Sequence, residues 1–290
     1  MLPVSARLLW RCGDRELVCG GRTLVMGILN VTPDSFSDGG RFLDPDAAAA
    51  RGLEMAADGA DIVDVGGEST RPGADPVSAE EETSRVVPVI KRLAAESTVP
   101  VSIDTRHPDV ARAALDAGAT VVNDVSGARD PRMFEVAGAA RAGLVLMHMR
   151  GDPATMRELT SYEDVVGEVR EYLRERVEAA LFAGLGAEQL CVDPGLGFAK
   201  TAEQSLLLLR RVDALLDIGV PVLAGPSRKS FIGEVLGLGV EDRLEGTEGA
   251  VAWCAAMGVH VVRVHDTREA VRVVRVVDAI RSAGAPEPSA

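Results

Sequence analysis

A (β/α)8 barrel of the TIM type, preceded by a short N-terminal hairpin, is the fold class this sequence predicts, and three features predict it. Short β-branched runs recur eight times. Each is followed by a turn and an Ala/Leu/Arg/Glu-rich stretch of helical period, and glycine closes several of those stretches. The predicted strands cover residues 24–29, 62–65, 99–103, 120–122, 144–147, 190–192, 220–223 and 259–262. The predicted helices cover 45–58, 79–96, 108–117, 133–140, 161–183, 205–216, 248–257 and 267–281. Ala57-Asp58-Gly59-Ala60, Ala117-Gly118-Ala119 and Met257-Gly258 read as helix ends, because glycine enters the left-handed conformation with no Cβ clash. Eight strands with eight crossover helices close most naturally into a barrel, whereas an open doubly wound sheet usually has fewer strands. Residues 1–23 read as a hairpin capping the barrel bottom, 24–281 as the barrel and 282–290 as a flexible tail, the whole of 1–290 being one domain.

Composition narrows the function classes. A length of 290 residues suits one large α/β core, and no run of 18 apolar residues exists to span a membrane. Residues 1–10 lack the basic start and apolar stretch of a secretory signal, which predicts a cytoplasmic protein. Acidic residues outnumber basic ones 44 to 31, and a net charge of −13 repels nucleic acid, so the expected partners are small molecules. Cys12, Cys19, Cys191 and Cys254 are scattered with no CxxC pair, which argues against a disulfide framework or a structural zinc site.

A barrel binds ligands where its strands open into the C-terminal loops. The strand exits carry Asn30, Asp64, Asp104, Asn123, Met147-His148, Asp193, the segment 225–229 and Arg263-Val264-His265. Any one Asp or Asn after a strand has a local explanation in turn formation or helix capping. Amides, carboxylates and cations converging on one mouth point instead to a ligand. Lys229 and Arg263 suit an anion at the terminal loops, whereas Arg228 reads equally as a ligand or as a salt-bridging surface residue. Asn30 and Asp34 offer hard oxygens suited to magnesium beside a phosphate. His107, before Pro108, reads as a cap or a solvated residue, and Cys191 as packing. Neither a P-loop nor a GxGxxG fingerprint is present.

These exit segments resemble the dihydropteroate synthases. The resemblance rests on Gly27-Ile28-Leu29-Asn30-Val31-Thr32-Pro33-Asp34-Ser35-Phe36-Ser37-Asp38-Gly39-Gly40 and on Asp64-Val65-Gly66-Gly67-Glu68-Ser69-Thr70-Arg71-Pro72-Gly73. It continues through Ser102-Ile103-Asp104-Thr105, Asn123-Asp124-Val125-Ser126-Gly127, Met147-His148-Met149, Asp193-Pro194-Gly195-Leu196-Gly197-Phe198-Ala199-Lys200, Ser227-Arg228-Lys229-Ser230-Phe231 and Arg263-Val264-His265-Asp266.

The resemblance implies a folate-pathway transferase. It would join 6-hydroxymethyl-7,8-dihydropterin diphosphate to 4-aminobenzoate by an SN1-like route, giving 7,8-dihydropteroate and diphosphate. It further implies that Asp104, Asn123, Asp193 and Lys229 hold the pterin ring with Met147 packed nearby, and that Asn30, Arg263 and His265 hold the diphosphate. Magnesium would bind at Asn30, with Arg263 and His265 helping to neutralise the leaving group. Thr70, Arg71, Pro72, Phe198 and Ser227 match positions near the aminobenzoate, and Asp34, Ser35 and Asp38 belong to a mobile first loop. Asp104, Asp193, Lys229, Arg263 and His265 would carry the chemistry, in a homodimer. Departures are Leu196 and Ala199 in a segment where the family commonly has Phe-Gly-Phe-Gly-Lys, together with Pro226 and Thr267. The alternatives on the same scaffold are a pterin-dependent methyltransferase domain, which has no need of Thr70-Arg71-Pro72 together with a diphosphate site, and a non-catalytic pterin-binding protein.

Overall fold

The computed structural model describes residues 7–32, 44–69 and 77–284. An antiparallel hairpin comes first: β1 (Leu8–Cys12) and β2 (Arg15–Cys19), turning through Gly13 at a φ of 65°. There follow β3 (Leu24–Asn30), α1 (Pro45–Ala57), β4 (Ile62–Gly66), α2 (Ala79–Glu96), β5 (Val101–Asp104), α3 (Pro108–Asp116), β6 (Val121–Asp124) and α4 (Arg132–Ala139). The second half holds β7 (Gly143–Met147), α5 (Val165–Phe182), β8 (Leu190–Asp193), α6 (Ala202–Arg210), β9 (Leu223–Ala224), α7 (Ser230–Leu236), α8 (Leu244–Ala256), β10 (Val261–Val264) and α9 (Thr267–Ser282). The eight strands from β3 onward are parallel, ordered β8-β7-β6-β5-β4-β3-β10-β9. The ring closes where Val192 of β8 bridges Val222 and its N–H donates to the Pro221 carbonyl at 2.9 Å. This is the (β/α)8 barrel with a hairpin that the sequence predicts.

Local chemistry accounts for the boundaries. Asp44 accepts the N–H groups of Asp46 and Ala47 to start α1, and Thr201 with Gln204 forms a capping box at α6. The run predicted at 220–223 is strand only at its end, since Pro221 has no N–H to donate to a ladder. The helix predicted over 205–216 divides into α6 and a 3-10 turn, Val212–Ile218, which stops at Gly219. The seven-residue α7 is additional to the predicted helices.

Strand alternation sorts the core into two layers. Val25, Val63, Ile103, Val122, Leu144, Val192 and Val262 face outward onto helix residues such as Ile90, Leu93, Leu173 and Val251. Leu24, Met26, Ile62, Val121, Val145, Cys191, Leu223 and Val261 face inward and form the barrel floor. The hairpin seals that floor with Trp10, Cys12 and Cys19. Trp10 is fully buried, and its indole N–H donates to the Gln189 carbonyl at 3.1 Å. All four cysteines are free and buried, in keeping with packing. Among the described residues, no helix is long and apolar enough to cross a membrane.

Trp10→Ala is expected to cost about 3–5 kcal/mol of folding stability by opening a cavity under the floor. Urea unfolding measures it, and a loss under about 1 kcal/mol would show that the hairpin does not plug the barrel.

Candidate active site

Two residues beyond the apolar floor, the same inward positions become polar on β4, β6, β8 and β10, while β7 places a methionine there. Asp64 follows Ile62, Asn123 follows Val121, Met147 follows Val145, Asp193 follows Cys191 and Arg263 follows Val261. A period of two therefore aims all of these side chains into the mouth. Asp104 joins them from β5, paired in register with Gly66 on one side and Asn123 on the other.

A charged cluster forms the centre. The Arg263 guanidinium donates from Nε to Asp64 Oδ2 and from Nη2 to Asp104 Oδ2, both at 2.6 Å. Asn123 Nδ2 donates to the same Asp64 oxygen at 3.0 Å. Burial works against the Arg263 charge, but Asp64 and Asp104 outweigh it and keep the group protonated. Burial pushes the Asp104 carboxyl up to about 7, with Arg263 opposing and Asp64 reinforcing. Oδ1 of Asp64 and Oδ1 of Asp104 are buried without a hydrogen-bond partner among the described residues. Such acceptors call for a donor from a ligand.

The second half of the mouth comes from β8, β9 and β10. Asp193 Oδ1 accepts the Gly195 N–H at 2.7 Å, while burial raises its carboxyl above the usual range. Gly195 has φ 66°, and a Cβ there would run into the His148 carbonyl. Lys229 holds its ammonium 4.1 Å from the centre of the Phe198 ring. Although part of this side chain meets solvent, the surrounding barrel pushes the ammonium down to about 8, with Asp193 opposing. Phe198 and Met147 belong to one small apolar cluster with Val125, Met149 and Met156. Ser227 accepts the backbone N–H of His265 at 3.2 Å, and its Oγ lies 2.9 Å from the His265 Nδ1. Burial, with Arg263 and Arg228 reinforcing, pushes His265 down to about 3, which favours a neutral ring bonded to Ser227 through Nδ1. Asn30 ends β3 beside Gly66, where a Cβ would lie 3.9 Å from Asn30 Oδ1 and 3.8 Å from Asp104 Oδ2.

The structure therefore gathers Asn30, Asp104, Asn123, Met147, Asp193, Phe198, Ser227, Lys229, Arg263 and His265 around one mouth. Asp34, Ser35, Asp38, Thr70, Arg71 and Pro72 lie outside the described residues. Arg228 resolves as a salt-bridging residue, donating to Asp266 at 2.8 and 3.1 Å and to Glu241 at 3.2 Å. His148 is buried and held by Lys200, whose ammonium lies 2.9 Å from Nδ1 and donates to the Phe198 and Gly195 carbonyls at 2.9 and 3.0 Å. Burial pushes that lysine down to about 7. Sequence reasoning gave Lys200 no role, although a lysine inside a Gly-Phe-Ala run was a readable signal.

Fold and site together define a (β/α)8-barrel enzyme with its polar centre at the C-terminal mouth. The model of the pterin binding enzymes matches residues 26–265. Dihydropteroate synthase of Mycobacterium leprae is 50% identical over 269 residues, covering 90% of this chain and 94% of the relative. Xanthomonas albilineans dihydropteroate synthase with 4-aminobenzoic acid superposes with a TM-score of 0.89 at 44% identity, over 97% of this chain and 100% of that one. The same enzyme in complex with 7,8-dihydropteroate gives 0.86 at 42% identity, over 96% and 100%. This chain belongs to the dihydropteroate synthase family of pterin-binding enzymes. Neither the methyltransferase nor the non-catalytic reading is favoured by these relatives.

Arg263→Ala is expected to lower folding stability by about 3–5 kcal/mol, because it strands the Asp64 and Asp104 carboxylates. Chemical denaturation reads this out. A change below about 1 kcal/mol would show that the ion pairs do not hold the mouth together.

Proposed function

We infer that this protein joins 6-hydroxymethyl-7,8-dihydropterin diphosphate to 4-aminobenzoate, releasing diphosphate and forming 7,8-dihydropteroate. The observation that carries the reading is the convergence of Asp104, Asn123, Asp193, Lys229 and Arg263 on one mouth in a chain of this family. Asp104 and Asp193 would accept from the donor edge of the aminopterin, while Asn123 and Lys229 address its carbonyl and ring nitrogens. Met147 would pack on the ring. Arg263 and the neutral His265 would hold the diphosphate as the bond between the methylene carbon and its oxygen breaks, and the electron pair leaves with the diphosphate. The resulting methylene cation is delocalised into the pterin and faces buried carboxylates. The arylamine nitrogen then attacks it and loses a proton. Phe198 and Ser227 would line the aminobenzoate side, with Thr70, Arg71 and Pro72 completing it and Asp34, Ser35 and Asp38 carried on the first loop.

Asn30 fits a magnesium ion by its chemistry, offering a hard amide oxygen that approaches Gly66, as does the Asp104 carboxylate paired with Arg263. When bound with the diphosphate, the ion would supply further charge neutralisation to the leaving group. The same reading makes the protein a cytoplasmic homodimer acting on small molecules. An apolar patch on the outer helices, where Val235 is 64% and Trp253 is 45% exposed beside Phe231 and Leu236, supports a second copy of this chain as its occupant.

The deciding experiment follows dihydropteroate and diphosphate formation from the two substrates; failure of turnover with both present overturns the reading. Asp104→Asn and Asp193→Asn should each weaken pterin binding by roughly 10–150-fold in calorimetry, the loss of about 1.5–3 kcal/mol for a charged hydrogen bond. Unchanged affinity would remove them from recognition. The pH dependence of kcat/KM should be bell-shaped. Activity rises as Asp104 becomes an acceptor by losing its proton near 7, and falls as Lys229 loses its donor charge near 8. Lys229→Arg should shift the alkaline limb out of range, and a profile flat from pH 6 to 9 excludes these two groups.

A further inference from the structure

Behind the mouth, where β4 and β5 run out towards α2 and α3, three side chains converge that the reaction does not use. Ligand atoms of Glu68, Glu82 and His107 all lie within 4.8 Å of one another. Glu82 sits in the first turn of α2, four residues before Val86 on the helix's inward stripe, at a position where an apolar residue would be expected. It is fully buried, and its carboxylate has the Thr105 hydroxyl as its one neighbouring donor among the described residues, with neither oxygen in a well-formed hydrogen bond. The backbone at Gly67 closes over it, since a Cβ there would meet Glu82 Cγ at 3.0 Å. His107 precedes α3 but makes no side-chain cap, and its Nε2 is buried with no partner among the described residues.

We propose that Glu68, Glu82 and His107 form a divalent-cation site separate from the Asn30 corner. A buried carboxylate with no more than one hydroxyl donor for its two oxygens is destabilising unless a proton or a cation satisfies it, and here an imidazole nitrogen faces the same point. One imidazole with two carboxylates suits zinc, manganese or cobalt better than magnesium, which prefers oxygen and keeps its water. Ligand atoms held at about 2.0–2.2 Å from one ion lie roughly 3–4 Å apart, so binding needs only a small closing movement of the three groups. Arg106 already pairs with Glu68 at 3.0 and 3.2 Å, so the ion shares that carboxylate with a guanidinium, and Asp104 adds negative charge nearby. Glu68 also accepts the Val77 N–H at 3.2 Å, so an ion here ties the end of β4 to the approach of α2 and the start of α3.

The test uses the full-length protein stripped of metal. Equilibrium dialysis against Zn2+ or Mn2+ with elemental analysis, and Co2+ absorption spectra, should show one equivalent bound with no thiolate charge-transfer band. Asn30→Ala should keep that equivalent. Glu82→Gln and His107→Ala should weaken it at least about ten-fold, and Zn2+ should raise the melting temperature of the wild type but not of His107→Ala. The half-buried His107 provides a variant that leaves the core intact should Glu82→Gln fail to fold. No binding by the wild type, undiminished binding by His107→Ala, or loss of the ion in Asn30→Ala would each overturn the proposal.

Discussion

A single guanidinium held between two buried carboxylates is the constraint on which the rest of the mouth depends. Arg263 rises from β10, Asp64 from β4 and Asp104 from β5, so the two ion pairs cross over β3 and tie four consecutive barrel strands together. Buried charges of this kind are stable only as a set, because removing one leaves the others without compensation in a medium that solvates them poorly. Asn123 is oriented by the same Asp64 oxygen, which extends the set to β6. The polar centre is thus assembled before any substrate arrives, and its remaining oxygens, Oδ1 of Asp64 and of Asp104, are the ones left to a ligand.

The barrel and the membership of its mouth were legible in the sequence because both follow from alternation. The inward residues Ile62, Val121, Cys191 and Val261 are apolar, and the next inward residues are Asp64, Asn123, Asp193 and Arg263. Pairing within the mouth was not legible, since a period of two states which face a side chain occupies and not which neighbour it meets. Asp64 read as one exit residue among eight, yet it receives both Arg263 and Asn123. Arg228 was left open for the same reason, and its geometry turns it outward to Asp266 and Glu241. The α7 helix was too short to declare a period, and Pro221 shortened a strand whose hydrophobicity alone promised more. Glu82 did leave a signal, an acid interrupting the apolar stripe of α2.

The departures from the family pattern also acquire physical meaning. Ala199 stands where glycine is common, and its φ of 49° lies in the left-handed region, a conformation that costs a residue with a Cβ about 1 kcal/mol. Lys200 holds that segment in place by bonding the carbonyls on either side of the turn and meeting His148. Leu196 is buried in the outer core rather than set at the mouth, so losing an aromatic there changes packing and not the site. Thr267 is buried against the β3 backbone, where a Cβ at Gly27 would meet its Oγ1 at 2.8 Å, and valine has the same shape.

Alternation also sets how this chain is able to change length. Inserting or deleting one residue within β4 would exchange Asp64 for Val63 or Val65 at the mouth and present a carboxylate to the helices, and each of the other barrel strands carries the same hazard. Beyond the strand ends no such parity exists, and added residues there leave the inward set undisturbed. Length variation among descendants of this sequence is therefore confined by geometry to the helices' outer turns and the connecting loops, while the strands evolve by substitution alone.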